Sequence, residues 1–474
     1  MPVISKHTLS PPSLLVAVLL TPVLILGGAS GAVAQDDAQD DTQEDAQEDA
    51  GRGSAGGDGW RFGVEASAHF RSSDDTGFPV TFPFTPEQVP VGQSRVLLQT
   101  VDPGDHFEVS AVTFTAAFRW PGLEAFFKVD GIDLHDRNPT GSDREIDLDE
   151  AWVAFGRQTE TATLAPRTGG YVKLGKIPHF ERQNDRHLES YGLVSTAFNR
   201  FEDVGLEGGL DLGRHLYVKA AFTSGNPLFM RDPNVLAGDN GTAAFRRLPP
   251  DPEYRSGIVI PYDADVDDAD FSDPEVAVGI GLRFADPSGR RGLEALAFGS
   301  RRDLADTVDL GGTFYGGDLD LLRGPSIMEV PFAIDGREKT EIGANLWLYM
   351  GAFTGFLQVV DQELAGLERA GAEVELAHRF DLPLGPAAWG RQIFPHVAPA
   401  IRYSSLDPDY AAPFGTPTPS FAWDWEKLDA GLRIGLIDRT DLTLEWGRNR
   451  IELASGAKVD TDETLATVRV RVGR

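Results

Sequence analysis

The chain has 474 residues, no cysteine and a formal net charge of −30. Without cysteine there is no disulfide scaffold and no thiolate metal site, and a charge this negative excludes a nucleic-acid partner, which needs a basic face. A mean hydropathy of −0.22 argues against a bundle of membrane-spanning helices, but not against a membrane barrel, where only alternate residues meet lipid.

Residues 1–34 read as a secretory signal. Lys6 and His7 precede an apolar stretch from Leu14 to Leu26, and Ala32-Val33-Ala34 supplies a small-residue cleavage site before Gln35. Pro22 interrupts the stretch, and it is short for a spanning helix. Residues 35–59 form an acidic, glycine-rich leader: Gln35 to Ala50 is a four-residue repeat, QDDA-QDDT-QEDA-QEDA, with no large apolar side chain to bury. Such a segment is expected to be a disordered, solvated tether.

From Trp60 to the end the dominant period is two. Leu428, Ala430, Leu432, Ile434 and Leu436 alternate with Asp429, Gly431, Arg433 and Gly435, and Val468, Val470 and Val472 alternate with Arg469 and Arg471. Each such run is a strand with one apolar and one polar face. In chain order the pattern predicts strands near 60–70, 106–120, 123–134, 146–158, 169–177, 204–212, 215–223, 274–286, 291–301, 339–350, 353–361, 370–380, 394–405, 427–437, 441–451 and 464–473. Tight connections such as Pro121-Gly122, Gly213-Arg214 and Gly351-Ala352 largely alternate with long polar ones such as 71–105, 178–203 and 224–273. About sixteen two-faced strands with short turns at one rim and long loops at the other predict an all-β fold. It is a single transmembrane antiparallel β-barrel spanning residues 60–474, with outer-membrane lipid as its partner. A propeller would show a repeat of roughly 40–50 residues, and none is present. Phe126, Phe127, Trp152, Phe155, Trp347, Tyr349, Trp389, Tyr403, Trp423, Trp425 and Trp446 lie mostly near predicted strands or their ends and are candidates for interfacial girdles.

One stretch carries more than pattern. Tyr171 to Gly209 reads YVKLGKIPHFERQNDRHLESYGLVSTAFNRFEDVGLEGG. A strand ends in Gly-Lys, a Pro and Phe-Glu-Arg follow, and after a polar loop Arg-Phe-Glu-Asp-Val-Gly-Leu opens the next strand. This resembles the phosphate-selective porin O and P family. The resemblance implies a sixteen-stranded outer-membrane porin in a Gram-negative cell, a homotrimer, and a loop after strand five that folds inward to constrict the pore. The strand count independently makes Pro178–Asp203 the loop after strand five. Its candidate pore-constriction residues are His179, Glu181, Arg182, Asp185, Arg186, His187, Glu189, Arg200, Glu202 and Asp203. Charges of both signs there are either a selectivity filter or salt bridges that hold the loop's shape.

The polar phases of the strands nominate lumen-lining residues: Lys173, Lys219, Arg433, Arg469 and Arg471, together with Glu373, Glu375, Asp429 and Glu445. Phosphate selection needs clustered basic groups in a narrow pore. This mixture leaves the ion sign open. Many barrels end in an aromatic residue read by the barrel-assembly machinery. This chain ends Val470-Arg471-Val472-Gly473-Arg474.

Catalytic and metal motifs are missing from the sequence: no G-x-S-x-G, no H-E-x-x-H and no G-x-x-x-x-G-K-[ST]. His378 falls on the lipid-facing phase of its strand, where an interfacial polar residue is the plainer reading than a barrel hydrolase. Asp263, Asp265 and Asp267 mimic the start of a calcium loop, but neither the required Gly nor the closing Glu follows. The expectation is a non-enzymatic diffusion channel for small ions or solutes, with anions such as phosphate among them, and without metal or cofactor. The alternatives are a barrel enzyme or plugged binding scaffold, and a soluble periplasmic β protein.

Overall fold

The structure, a computed structural model, describes residues 59–74, 104–132, 146–156, 169–183, 186–198, 202–225, 271–286, 291–304, 332–382, 391–410, 424–452 and 458–473. Short pieces at 78–80, 96–99, 245–246, 257–259 and 386–388 and the single residues 319 and 456 are described as well. The expected signal peptide, the leader up to residue 58 and the Asp263–Asp267 run lie outside the described residues.

Sixteen antiparallel strands close into a barrel. They are β1 (Gly59–Ser73), β2 (Gly104–Trp120), β3 (Leu123–Ile132), β4 (Ile146–Gly156), β5 (Gly170–Pro178), β6 (Glu202–Leu212), β7 (Leu216–Thr223), β8 (Glu275–Ala285), β9 (Arg291–Asp303), β10 (Glu338–Met350), β11 (Phe353–Leu364), β12 (Leu367–His378), β13 (His396–Pro408), β14 (Asp424–Ile437), β15 (Thr440–Glu452) and β16 (Lys458–Gly473). A short piece, Phe380–Asp381, carries the line of β12 past Arg379 onto β13. Neighbours in sequence pair throughout, and the seam joins β1 to β16 from Gly63↔Gly473 to Ser73↔Glu463. Closure leaves no open edge, as lipid requires.

Every predicted strand corresponds to one barrel strand, with shifted ends. The largest difference is between β11 and β12. Residues 362–369 are not a loop; both strands run on to a two-residue turn, Ala365-Gly366, with φ of 51° and 84°. Two successive positive φ values make the mirror-image turn that suits hairpin twist. Alanine there hides the turn from sequence, because Asn-Gly or Asp-Gly is the usual sign. A second difference is a small sheet built from the β1–β2 and β7–β8 connections, with Phe78–Val80, Val96–Gln99, Gly257–Val259 and Phe245–Arg246 in register.

The two faces are inverted relative to a soluble protein. On β8, Val276, Val278, Ile280, Leu282 and Phe284 point outward and are exposed, while Glu275, Ala277 and Arg283 point inward and are buried. Outward Trp60, Trp120 and Phe155 cluster at the short-turn rim, and Phe107, Phe222 and Phe271 at the other. This is an apolar belt with aromatic edges. Four of the proposed girdle residues are corrected: Phe126, Trp347, Tyr349 and Trp425 point inward and are buried, Trp347 and Tyr349 in the phase of Asn345 and Trp425 in that of Lys427. Trp389 and Trp423 lie outside the described residues.

Candidate functional site

The segment between β5 and β6 turns into the barrel and is tied to the inner wall nearly residue by residue. A chain segment in that position must satisfy its backbone groups away from bulk water. Inward side chains of distant strands do this. Asn345 Nδ2 and Gln358 Nε2 donate to the carbonyl of Glu181 at 2.5 and 2.9 Å. Glu375 accepts the amide of His187 at 2.8 Å. Glu445 accepts the amides of Glu189 and Ser190, and Lys427 Nζ donates to the Tyr191 carbonyl at 2.7 Å.

A single helical turn, α1 (Leu193–Ala197), follows. Its free amides are taken from the wall: Leu193 N–H donates to Ser404 Oγ and Val194 N–H to Glu373 Oε2, both at 3.2 Å. At its other end Arg369 donates to the Ala197 carbonyl at 2.6 Å. A carboxylate at the amide end and a guanidinium at the carbonyl end match the helix's partial charges. Apolar contacts do the rest. Phe180, Val194, Ala197 and Phe198 join Trp347, Phe356 and Trp425 in one buried cluster inside the barrel.

The root of the loop is a charge cluster. His179 Nδ1 lies 3.1 Å from Glu181 and its Nε2 lies 2.9 Å from Asp203. Burial disfavours the charged ring, but Glu181 and Asp203 outweigh it and hold the imidazole well above its usual range. Arg182 bridges Glu150, at 3.1 Å, and Glu202. Among the described residues the one close carboxylate trio is Asp149, Glu150 and Glu202; Lys128 bonds Asp149 at 2.5 Å and Arg182 bonds the other two.

Of the predicted constriction residues, His179, Glu181, Arg182, Arg186, His187 and Glu189 lie on this inward loop. Glu202 and Asp203 are not loop residues: they begin β6, where cross-strand pairing to Pro178 and Ile177 extends the sheet. Asp185 and Arg200 lie outside the described residues. Nearly every described charge of the loop is engaged. Glu189 alone meets Arg433, Arg469 and Thr443. The exception is Arg186, which stacks on Tyr191 with its guanidinium carbon 3.8 Å from the ring centroid and has no carboxylate partner among the described residues.

All nine predicted lumen residues occupy inward phases of their strands. Sequence reasoning missed the residues that grip the loop, chiefly Asn345, Gln358, Arg369, Arg402 and Lys427. Arg402 is fully buried, bonding Asp429 and, at 2.8 Å, Ser190 Oγ. The signal was available: Ile401 and Tyr403 point outward, so period two sends Arg402 inward. His378 does take the lipid-facing phase, its ring tilted against Phe380 with centroids 4.3 Å apart.

No protein-family model matches the sequence, and no curated protein matches it significantly. Among solved structures the chain is similar to OprB of Pseudomonas putida, with 9% identity and a TM-score of 0.45, covering 88% of this chain and 94% of that one. It is similar to the outer membrane channel DcaP of Acinetobacter baumannii, with 9% identity and a TM-score of 0.46 over 87% and 98% of the two chains. It is also similar to the outer membrane protein opdK of Pseudomonas aeruginosa, with 11% identity and a TM-score of 0.38 over 88% and 99%. Likenesses of this strength do not establish the phosphate-selective family that residues 171–209 resemble. The class rests on the molecule itself. It is a closed sixteen-stranded barrel, apolar outside and polar within, and such barrels sit in the outer membrane of Gram-negative cells. Its long loop after the fifth strand, folded into the lumen, gives it a porin-like arrangement.

Proposed function

We propose that the protein is a passive diffusion channel for small ions and polar solutes, with the 178–203 segment as its constriction. The supporting observation is the way the loop is held. Its backbone is bonded to inward side chains on β10 to β15, and its charges face wall charges of opposite sign. A loop fixed in this way narrows a lumen with set charges and needs no energy source or cofactor. Assembly as a homotrimer, inserted by the barrel-assembly machinery, belongs to the same reading.

A second reading has its own support. The apolar cluster around Val194, Phe198 and Trp347 lies within the barrel, and a lumen filled to that extent would make a plugged scaffold. Planar-bilayer recording decides between them. Discrete conductance steps from the purified protein are the expected result. A folded, heat-modifiable preparation that inserts and gives no steps would refute the channel and leave the scaffold.

A further inference from the structure

The connection between β12 and β13 is longer than the two-residue turns that close β2–β3, β10–β11 and β14–β15 on the same rim. It passes the neighbouring turn, where Arg379 N–H donates to the Ala352 carbonyl at 2.8 Å. It continues as Phe380–Asp381 and forms a small antiparallel pair, Ala387–Ala388 with Arg391–Gln392. Its arms are tied to each other and to β14. Leu382 N–H donates to the Pro395 carbonyl and Ile393 N–H to that of Pro386, both at 2.7 Å, and Phe394 N–H to that of Leu436 at 3.1 Å. Its large apolar side chains are nevertheless exposed: Phe380 by 50%, Phe394 by 42%, and Leu382 as well. Phe394 has a φ of 56°, in the left-handed region that Gly or Asn enters readily and a bulky residue does not. Keeping an exposed aromatic there, where Gly would relax the backbone, points to work for its side chain.

Continuity with the lipid belt selects what these side chains meet. Phe380 lies opposite Val397 in register, and opposed residues share one face of a sheet. Val397 is in the phase of Ile401 and Tyr403, whose side chains are exposed on the barrel's outer face. His378, two residues before Phe380, faces lipid too. The outer face thus runs on from β12 and β13 onto the hairpin. A site for a periplasmic protein would need apolar area standing clear of that face. The hairpin's own charges are paired, Arg379 with Asp381 at 2.6 Å and Arg391 with Asp438 of the β14–β15 turn at 3.9 Å, so nothing on it calls for an anionic surface. Exposed aromatics beside paired polar groups suit the lipid headgroup layer, which accepts both.

We propose that residues 380–382 and 391–395 form a foot resting in the periplasmic headgroup layer, with Phe380, Leu382 and Phe394 against phospholipid. The foot carries the membrane contact past the strand ends and biases the barrel's depth and tilt on that side. The inference stands apart from the channel reading, and its test needs no conductance. The sequence has no cysteine, so one introduced cysteine carries one nitrobenzoxadiazole label in the full chain, held in phosphatidylcholine nanodiscs. The exposed Ala387, labelled through Ala387→Cys, reports the hairpin. Ile401→Cys on the lipid belt and Arg214→Cys at a short turn bracket the response. A lipid spin-labelled near its headgroup should quench the Ala387→Cys label nearly as well as the Ile401→Cys label. Aqueous iodide should quench it about twofold less than the Arg214→Cys label, as an interfacial position implies. Added to Ala387→Cys, Leu382→Ser and Phe394→Asn should each reduce quenching by the spin-labelled lipid about twofold, since interfacial binding scales with buried apolar area. Asn keeps the left-handed backbone and removes only the ring. Heat-modifiable mobility reports whether each variant folds; if one does not, the other carries the test. An Ala387→Cys label that iodide reaches as freely as Arg214→Cys, and that the spin-labelled lipid does not quench, overturns the foot and leaves its apolar side chains to a periplasmic protein. Lipid quenching unchanged by the Leu382 and Phe394 variants overturns these residues as the contact.

Discussion

Phe198 of the lumen loop lies against Gly371 of β12 so closely that a β-carbon at residue 371 would stand 2.4 Å from its ring. Phe180 sits the same way on Gly279, at 2.9 Å, and Leu188 on Gly431, at 2.4 Å. None of these glycines has a positive φ, so their role is steric: each is a seat cut into the wall for one apolar side chain of the loop.

Filling a seat should therefore unseat the loop. Gly371→Val is expected to cost about 1–3 kcal/mol, the usual penalty of overpacking, and to lower the temperature at which gel mobility shifts. It should also change single-channel conductance, because α1 moves with Phe198. Gly208→Ala serves as the control: a β-carbon there meets only the Tyr171 carbonyl oxygen, at 3.6 Å. Equal behaviour of the two variants would show that the seats do not hold the loop.

Arg402 gives a second prediction. It is fully buried, and its Nε and Nη2 donate to Asp429 at 3.0 and 2.8 Å. Removing it alone leaves the buried Asp429 carboxylate with Lys427, at 3.2 Å, as its remaining ion-pair partner, so Arg402→Met should cost about 3 kcal/mol. The double variant Arg402→Met/Asp429→Leu should recover part of that loss, since an apolar pair of similar volume often matches a buried ion pair, while Lys427 loses Asp429 and keeps its bond to the Tyr191 carbonyl. Urea unfolding in detergent, followed by tryptophan fluorescence, measures the cycle. A double variant as unstable as the single one would mean the guanidinium does more for Ser190 than for Asp429.

The strand phases were legible because lipid on one side and a polar lumen on the other force a strict period of two. Val276 to Phe284 shows it at every second position. The position of the loop followed from counting strands to Pro178. What holds the loop was harder to read. Asn345, Gln358 and Arg402 are remote in sequence from Glu181 and Ser190, and only the closure of the barrel brings them together. Glycines such as Gly371 read as ordinary strand glycines until Phe198 is placed over them. Trp347 and Trp425 misled for the opposite reason: girdles and interiors both use tryptophan, and only the phase separates them.

The His179 clamp predicts a pH dependence. Burial opposes the charge on its ring, but Glu181 and Asp203 raise its pKa in the folded protein well above the ordinary histidine range. A raised folded pKa means that the stabilisation is fully present below the unfolded value and is lost as pH rises through the folded one. The stability difference between the parent and His179→Gln should thus stay constant at acid pH and shrink progressively above about pH 6.5, the unfolded histidine range. Unfolding midpoints across a pH series measure it. A difference that grows with pH would show that the imidazole is neutral in the folded protein.

The two loop arginines should separate charge from structure. Arg182 is bonded to Glu150 and Glu202, so Arg182→Gln leaves carboxylates facing one another. It should lose about 3 kcal/mol or more, as when a buried pair is broken. Arg186 is stacked only on Tyr191, and Arg186→Gln should leave the unfolding midpoint nearly unchanged. Its positive charge is the one on the loop without a carboxylate partner among the described residues. Removing it should shift the reversal potential under a salt gradient toward cation preference. Arg182→Gln, if it folds, should shift that potential less, because the charge it removes is already balanced. The opposite ranking would mean that the permeation path runs along the loop's root, past His179, and not past Arg186.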